Sequence, residues 1–141
     1  MKKAIVIGAS SGIGRELSKI LSGNQYTVGV MARRIHLLDE LRNEIGNDVL
    51  VERIDISDPN SATEALTKLI EKMGGVDLVV ISAGTGYLNP ELDWALENET
   101  IQTNVTGFAA MANVAVKHFI EKGSGHLVPC RLARRPGISG L

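Results

Sequence analysis

The chain has 141 residues, 15 Lys+Arg against 16 Asp+Glu, a formal net charge of −1, and is 44% hydrophobic and 22% charged. That length supplies one domain with one core, the near-neutral charge removes the basic footprint of a nucleic-acid binder, and no apolar run approaches the ~18 residues of a membrane span. Lys2 and Lys3 before Ala4–Ile7 do not make a secretory signal, because the run is short and enters a glycine loop, and one cysteine, Cys130, forms neither an internal disulfide nor a thiolate cage, so a cytoplasmic domain is expected.

Ala4–Ile7 is a continuous apolar run ending at Gly8, the pattern of a strand buried on both faces. Ile13, Leu17, Ile20 and Leu21 then recur at helical spacing, closed by Gly23-Asn24. Tyr26–Ala32 reads as a second strand, and Leu37, Leu38, Leu41 and Ile45 mark a second helix ending near Gly46. Val49–Ile54 reads as a third strand. Asp58 before Pro59 is an N-cap with proline at the first helical position, and the helix behind it carries Ala62, Ala65, Leu66, Leu69, Ile70 and Met73 up to Gly74-Gly75. Val76–Ile81 is a fourth strand. A looser stretch around Gly84–Pro90 leads into one long helical segment from about Asp93 to Lys122, whose stripe of Ile101, Val105, Phe108, Ala112, Ala115 and Phe119 reads as core or interface. His126-Leu127-Val128 opens a fifth strand. This alternation predicts an α/β fold, a doubly wound parallel sheet in three layers, interrupted after about the fifth strand. One folded domain is expected over 1–128 and an irregular tail over 129–141, where periodicity stops and two of the four prolines fall with three arginines.

Gly8-Ala9-Ser10-Ser11-Gly12-Ile13-Gly14 sits between the first strand and the first helix. Glycines there let the backbone turn sharply and approach a pyrophosphate, which free N–H groups at the helix N-terminus stabilise; Ser10 and Ser11 add hydroxyl donors. The spacing is G-x-x-x-G-x-G rather than G-x-G-x-x-G, and no Lys-Ser/Thr pair follows to make a Walker loop. An ordinary βα turn that needs glycine is the plain alternative. An NAD site wants a carboxylate at the end of the second strand. Here the strand ends Met31-Ala32-Arg33-Arg34, with no carboxylate before Asp39. Two guanidiniums suit a 2′-phosphate, so NADP(H) is favoured over NAD(H).

At these residues the chain resembles the classical branch of the short-chain dehydrogenase/reductase family, a Rossmann fold, from residue 1 to about Val128. The resemblance implies that Asp55-Ile56 contacts the adenine and that the backbone of Ala83-Gly84, in Ser82-Ala83-Gly84, lies beside the nicotinamide ribose. Ile81-Ser82 departs from the two asparagines usual there. Asn104, in Thr103-Asn104-Val105-Thr106-Gly107, resembles the family's catalytic asparagine, which disrupts a long helix. Asp55 as a simple turn cap, and Asn104 with Gly107 as a helix irregularity, stand as the structural alternatives.

Family members also carry a serine after the fifth strand and a Tyr-x-x-x-Lys motif, the tyrosine being the acid/base toward a small carbonyl or alcohol substrate. This sequence has only Tyr26 and Tyr87, followed four residues on by Val30 and Glu91. Catalysis is therefore expected to be impaired, with substrate turnover confined to an intact form. A truncation or frameshift after Val128 accounts for both the lost motif and the lost periodicity. The resemblance further implies strands beside the fifth and a helix against the long segment; without them a homo-oligomer is expected. A non-catalytic binding or oligomerisation module built on the long helix is the rival reading.

Overall fold

The computed structural model describes residues 1–46 and 48–130. Five parallel strands, β1 (Lys3–Ile7), β2 (Thr27–Ala32), β3 (Leu50–Arg53), β4 (Leu78–Ile81) and β5 (His126–Pro129), form one sheet in the order β3-β2-β1-β4-β5. Between them run α1 (Gly12–Gly23), α2 (Ile35–Ile45), α3 (Pro59–Lys72), α4 (Trp94–Ile101), a π-helix (Gln102–Gly107) and α5 (Phe108–Lys122). The doubly wound α/β architecture is thus as expected.

Alternation along the strands divides the core between the two faces. Ala4, Val6, Val28, Val30 and Val80 face α1 and α2 and pack with Leu21, Leu38 and Leu41. Ile5, Ile7, Met31, Val79 and Ile81 face the other way, onto Leu66, Leu69, Met111 and Phe119 of α3 and α5. Asp58 caps α3, its carboxylate accepting from the Ser61 N–H at 3.4 Å with Pro59 in the first turn.

Several expectations are corrected. The apolar runs overreach the ladders: Val49, Ile54 and Val76 are buried but lie outside β3 and β4, because an apolar run reports burial and a strand reports pairing. On α1, Ile20 is turned outward while Gly14 and Ser18 are buried. This helix packs by small residues, with the Ser18 hydroxyl donating to the Gly14 carbonyl at 2.7 Å. The single long helix is two helices joined by the π-helix, so its apolar stripe divides. Ile101 and Val105 are exposed, whereas Gly107, Met111, Ala115 and Phe119 turn to the core at intervals of four. Finally, β5 runs through Pro129, the first residue assigned to the tail. The N–H groups of His126 and Cys130 donate to Asp77 and Ile81, so the intervening Pro129 has its nitrogen on the side away from β4, where no donor is needed. The rest of the expected tail, 131–141, lies outside the described residues.

Candidate cofactor site

The sheet order reverses at β1, and the carboxyl ends of β1, β2 and β4 part there to leave a crevice of about 250 Å³. Its floor is the glycine loop. Gly8 turns at φ +92°, its N–H donating to the Met31 carbonyl at 2.7 Å. A Cβ on Gly8 would lie 2.4 Å from the Ala83 nitrogen, and one on Gly14 would lie 2.2 Å from the Gly8 carbonyl oxygen. Both glycines are therefore demanded by close backbone approach. Gly12 is different: its surroundings are open, and its φ of +59° is what glycine supplies. Ser11 takes the N-cap position of α1 without a side-chain capping bond, and no acidic residue sits in the first turn. The first N–H groups of α1 thus meet the crevice without an internal anion, as an anion site requires.

The walls bring together most of the residues singled out from sequence. Gly8, Ser10, Ser11, Gly12 and Ile13 line the crevice with Arg33 and Arg34, Asp55 and Ile56, and Ala83 and Gly84. Gly14, also singled out, is buried against the Gly8 carbonyl and does not line the crevice. Arg33 and Arg34 are exposed at the end of β2, and Arg34 donates to the Ser10 hydroxyl at 3.4 Å, which draws it over the glycine loop. Asp55 holds the β3–α3 turn by accepting from the Ser57 N–H at 3.0 Å and its hydroxyl at 2.7 Å. Burial pushes the Asp55 carboxyl up, but the Ser57 hydrogen bonds and the Arg33 and Arg53 charges outweigh it and hold it below its ordinary value. Asp55 thus serves as a turn cap while still facing the crevice.

Asn104 does not line the crevice. Its side-chain oxygen accepts from the Thr85 N–H at 2.9 Å and its amide nitrogen donates to the Thr85 carbonyl at 2.7 Å. Backbone partners on both sides fix which way the amide points. Sequence reading missed Ser82, Thr85 and Thr103 as lining residues. Each adjoins a residue already singled out, and that adjacency was the only signal. Among the described residues, no helix is long and apolar enough to cross a membrane, and no group of His, Cys, Asp and Glu could hold a metal ion.

A glycine-floored crevice at the switch point of a parallel sheet is the arrangement of doubly wound α/β nucleotide-binding folds. The sequence model of the family described as short chain dehydrogenase matches residues 2–130, so the chain belongs to the short-chain dehydrogenase/reductase family. An uncharacterized oxidoreductase of Myxococcus xanthus is 36% identical over 145 residues, covering 99% of this chain and 57% of its own. Among solved structures, the alcohol dehydrogenase of Thermococcus sibiricus, complexed with 5-hydroxy-NADP, is 30% identical with a TM-score of 0.83, covering 91% of this chain and 57% of its own. The 3-ketoacyl-(acyl-carrier-protein) reductase of Brucella melitensis, complexed with NADH, is 30% identical with a TM-score of 0.80, over 86% of this chain and 51% of its own. The chain spans about half the length of the curated relatives it matches.

Proposed function

We propose that this chain is the cofactor-binding part of an NADP(H)-dependent oxidoreductase acting on a carbonyl or alcohol. The observation that carries the reading is the crevice itself, where the uncapped start of α1 and two arginines at the end of β2 face one cavity. Gly8, Ser10, Ser11, Gly12 and Ile13 would surround the pyrophosphate, with buried Gly14 packed against the Gly8 carbonyl to shape the loop, and Arg33 and Arg34 would take the 2′-phosphate. Asp55 and Ile56 would border the adenine, and Ala83 and Gly84 the nicotinamide ribose. Once bound, the nicotinamide supplies or accepts hydride at its C4. The chain's own work is to neutralise phosphate charge, hold the two ribose ends and keep the crevice in shape.

The cofactors of similar structures include both an NADP derivative and NADH, so the phosphate preference rests on this chain's own arginines and on the absence of a carboxylate at 33 or 34. Within residues 1–141 no tyrosine is followed four residues on by lysine. We therefore expect this polypeptide alone to bind NADPH without turning over a ketone or aldehyde. Fluorescence titration with NADPH beside a turnover assay tests both halves: saturable binding with no turnover is expected, and an unchanged signal overturns the reading.

A homo-oligomer belongs to the same proposal. Ile101, Val105, Val116 and Ile120 are exposed along the end of α4, the π-helix and α5, an apolar face that a second copy of the chain would cover. The same face favours the second reading, a non-catalytic oligomerisation module. A module of that kind gives no saturable response to NADPH, so the titration separates the two.

A further inference from the structure

Two loops on different walls of the crevice are held by one short piece of backbone. The π-helix ends at Gly107, which is buried. A Cβ at Gly107 would stand 2.2 Å from the Ile56 carbonyl oxygen, 2.8 Å from its carbon and 3.0 Å from the Ile56 Cβ. The closest of these contacts is with backbone, so no neighbouring side chain can rotate out of the way. Three residues earlier, Asn104 makes its paired hydrogen bonds with the backbone of Thr85. Ile56, Gly84, Thr85 and, from the π-helix itself, Thr103 all line the crevice.

We propose that the π-helix is a brace that fixes the distance between these two loops, with Gly107 and Asn104 as its two anchor points, and that Gly107 is thereby a positioning residue for the dinucleotide. A π-turn is rare, occurs mostly as a single turn inside an α-helix, and is frequently found at functional sites. The wider turn sets the angle between the two anchors. Regular α-geometry, advancing about 100° per residue, would redirect one anchor while the other stayed in place. The brace itself stands on the contacts above; only its consequence for binding rests on the NADP(H) reading.

Amide hydrogen exchange on the ligand-free chain tests the brace without any cofactor. Gly107→Ala drives a methyl into Ile56, and the Thr85 amide on the other wall is expected to exchange about tenfold faster or more, while the Ile5 and Val30 amides change by less than about twofold. Acceleration confined to the Asp55–Ser57 turn would overturn the proposal. If Gly107→Ala does not fold, Asn104→Ala runs the test in reverse: it removes only the Thr85 bonds, yet the Ser57 amide must exchange faster. A response limited to Gly84 and Thr85 would sink the idea. In the binding arm, Asn104→Ala is expected to weaken adenosine 2′,5′-bisphosphate, which reaches only the adenine side, by about threefold or more; undiminished affinity counts against the brace. A wild-type chain that binds neither this probe nor NADPH overturns the dinucleotide reading, and the exchange result still decides the brace.

Discussion

Arg33 and Arg34 stand out because they occupy the position where a carboxylate would select the unphosphorylated ribose. Guanidinium–phosphate bonds are charge-assisted and contribute about 1.5–3 kcal/mol each. The double substitution Arg33→Glu, Arg34→Glu is therefore expected to weaken NADPH by roughly a hundredfold or more and to leave NADH within about threefold. Parallel fluorescence titrations with the two cofactors measure this, and an equal loss for both would detach the arginines from the 2′-phosphate. The glycines carry a different lesson. Sequence placed three of them between a strand and a helix, where the structure gives each a steric or conformational reason to be glycine. Gly8 and Gly14 are fixed by neighbouring backbone, since an added Cβ would lie 2.4 Å from the Ala83 nitrogen and 2.2 Å from the Gly8 carbonyl oxygen, contacts between segments far apart or sharply turned that no linear pattern contains. Gly14→Ala is expected to cost about 1–3 kcal/mol of stability through overpacking, read as a lower urea midpoint with an unchanged slope. A melt indistinguishable from wild type would contradict that approach distance.

At the scale of elements, strands and helices were legible because burial on both faces produces unbroken apolar runs, and helices between them produce a separate period. The joint between α4 and α5 was not legible as geometry. A wider turn at Gln102–Gly107 changes the phase of the helix face, so a stripe counted at constant spacing joins exposed Ile101 and Val105 to buried Ala115 and Phe119 and passes over Met111, which is fully buried. Asn104 was legible as a residue through the resemblance, but its bonds to Thr85 depend on two loops meeting in space. The exposed face left by this joint makes a prediction. Val116→Glu with Ile120→Glu is expected to shift the chain to monomer in sedimentation velocity at micromolar concentration. Melting should move by less than about 0.5 kcal/mol per site, as exposed positions allow. A wild-type chain that already sediments as a monomer would dismiss the self-associated state.

Across the whole molecule, the crevice end of the sheet and its opposite end are held by different chemistry. At the crevice end, glycines meet backbone closely and the π-helix meets the backbone of Ile56 and Thr85. The opposite end is closed by charge: the Asp77 carboxylate accepts from the Lys3 N–H at 2.8 Å and pairs with Lys122, which also donates to the Val76 carbonyl at 3.1 Å. The nearby Val76 N–H donates to His118 Nε2 at 3.2 Å. One carboxylate therefore ties the first residue of β1 to the last turn of α5 across the base of β4. The Lys122 ammonium, then the Lys3 N–H, hold the Asp77 carboxyl below its ordinary value against a smaller opposing effect of burial. A carboxyl more acidic in the folded chain than in the unfolded one favours folding at pH values above the unfolded pKa, about 3.9. That contribution drains away as pH falls through the folded value. Asp55 is depressed in the same direction at the crevice end, so both ends should loosen together in acid. Urea midpoints measured from pH 7 down through the carboxylate range are expected to fall for the wild-type chain. For Asp77→Asn they should be lower at pH 7 and fall less steeply, the two curves converging in acid. Parallel curves would mean that the tie between β1 and α5 is not what acid undoes, and would leave the acid sensitivity to the other depressed carboxyls, Asp55 at the crevice and Glu44 beside Lys19 and Arg15.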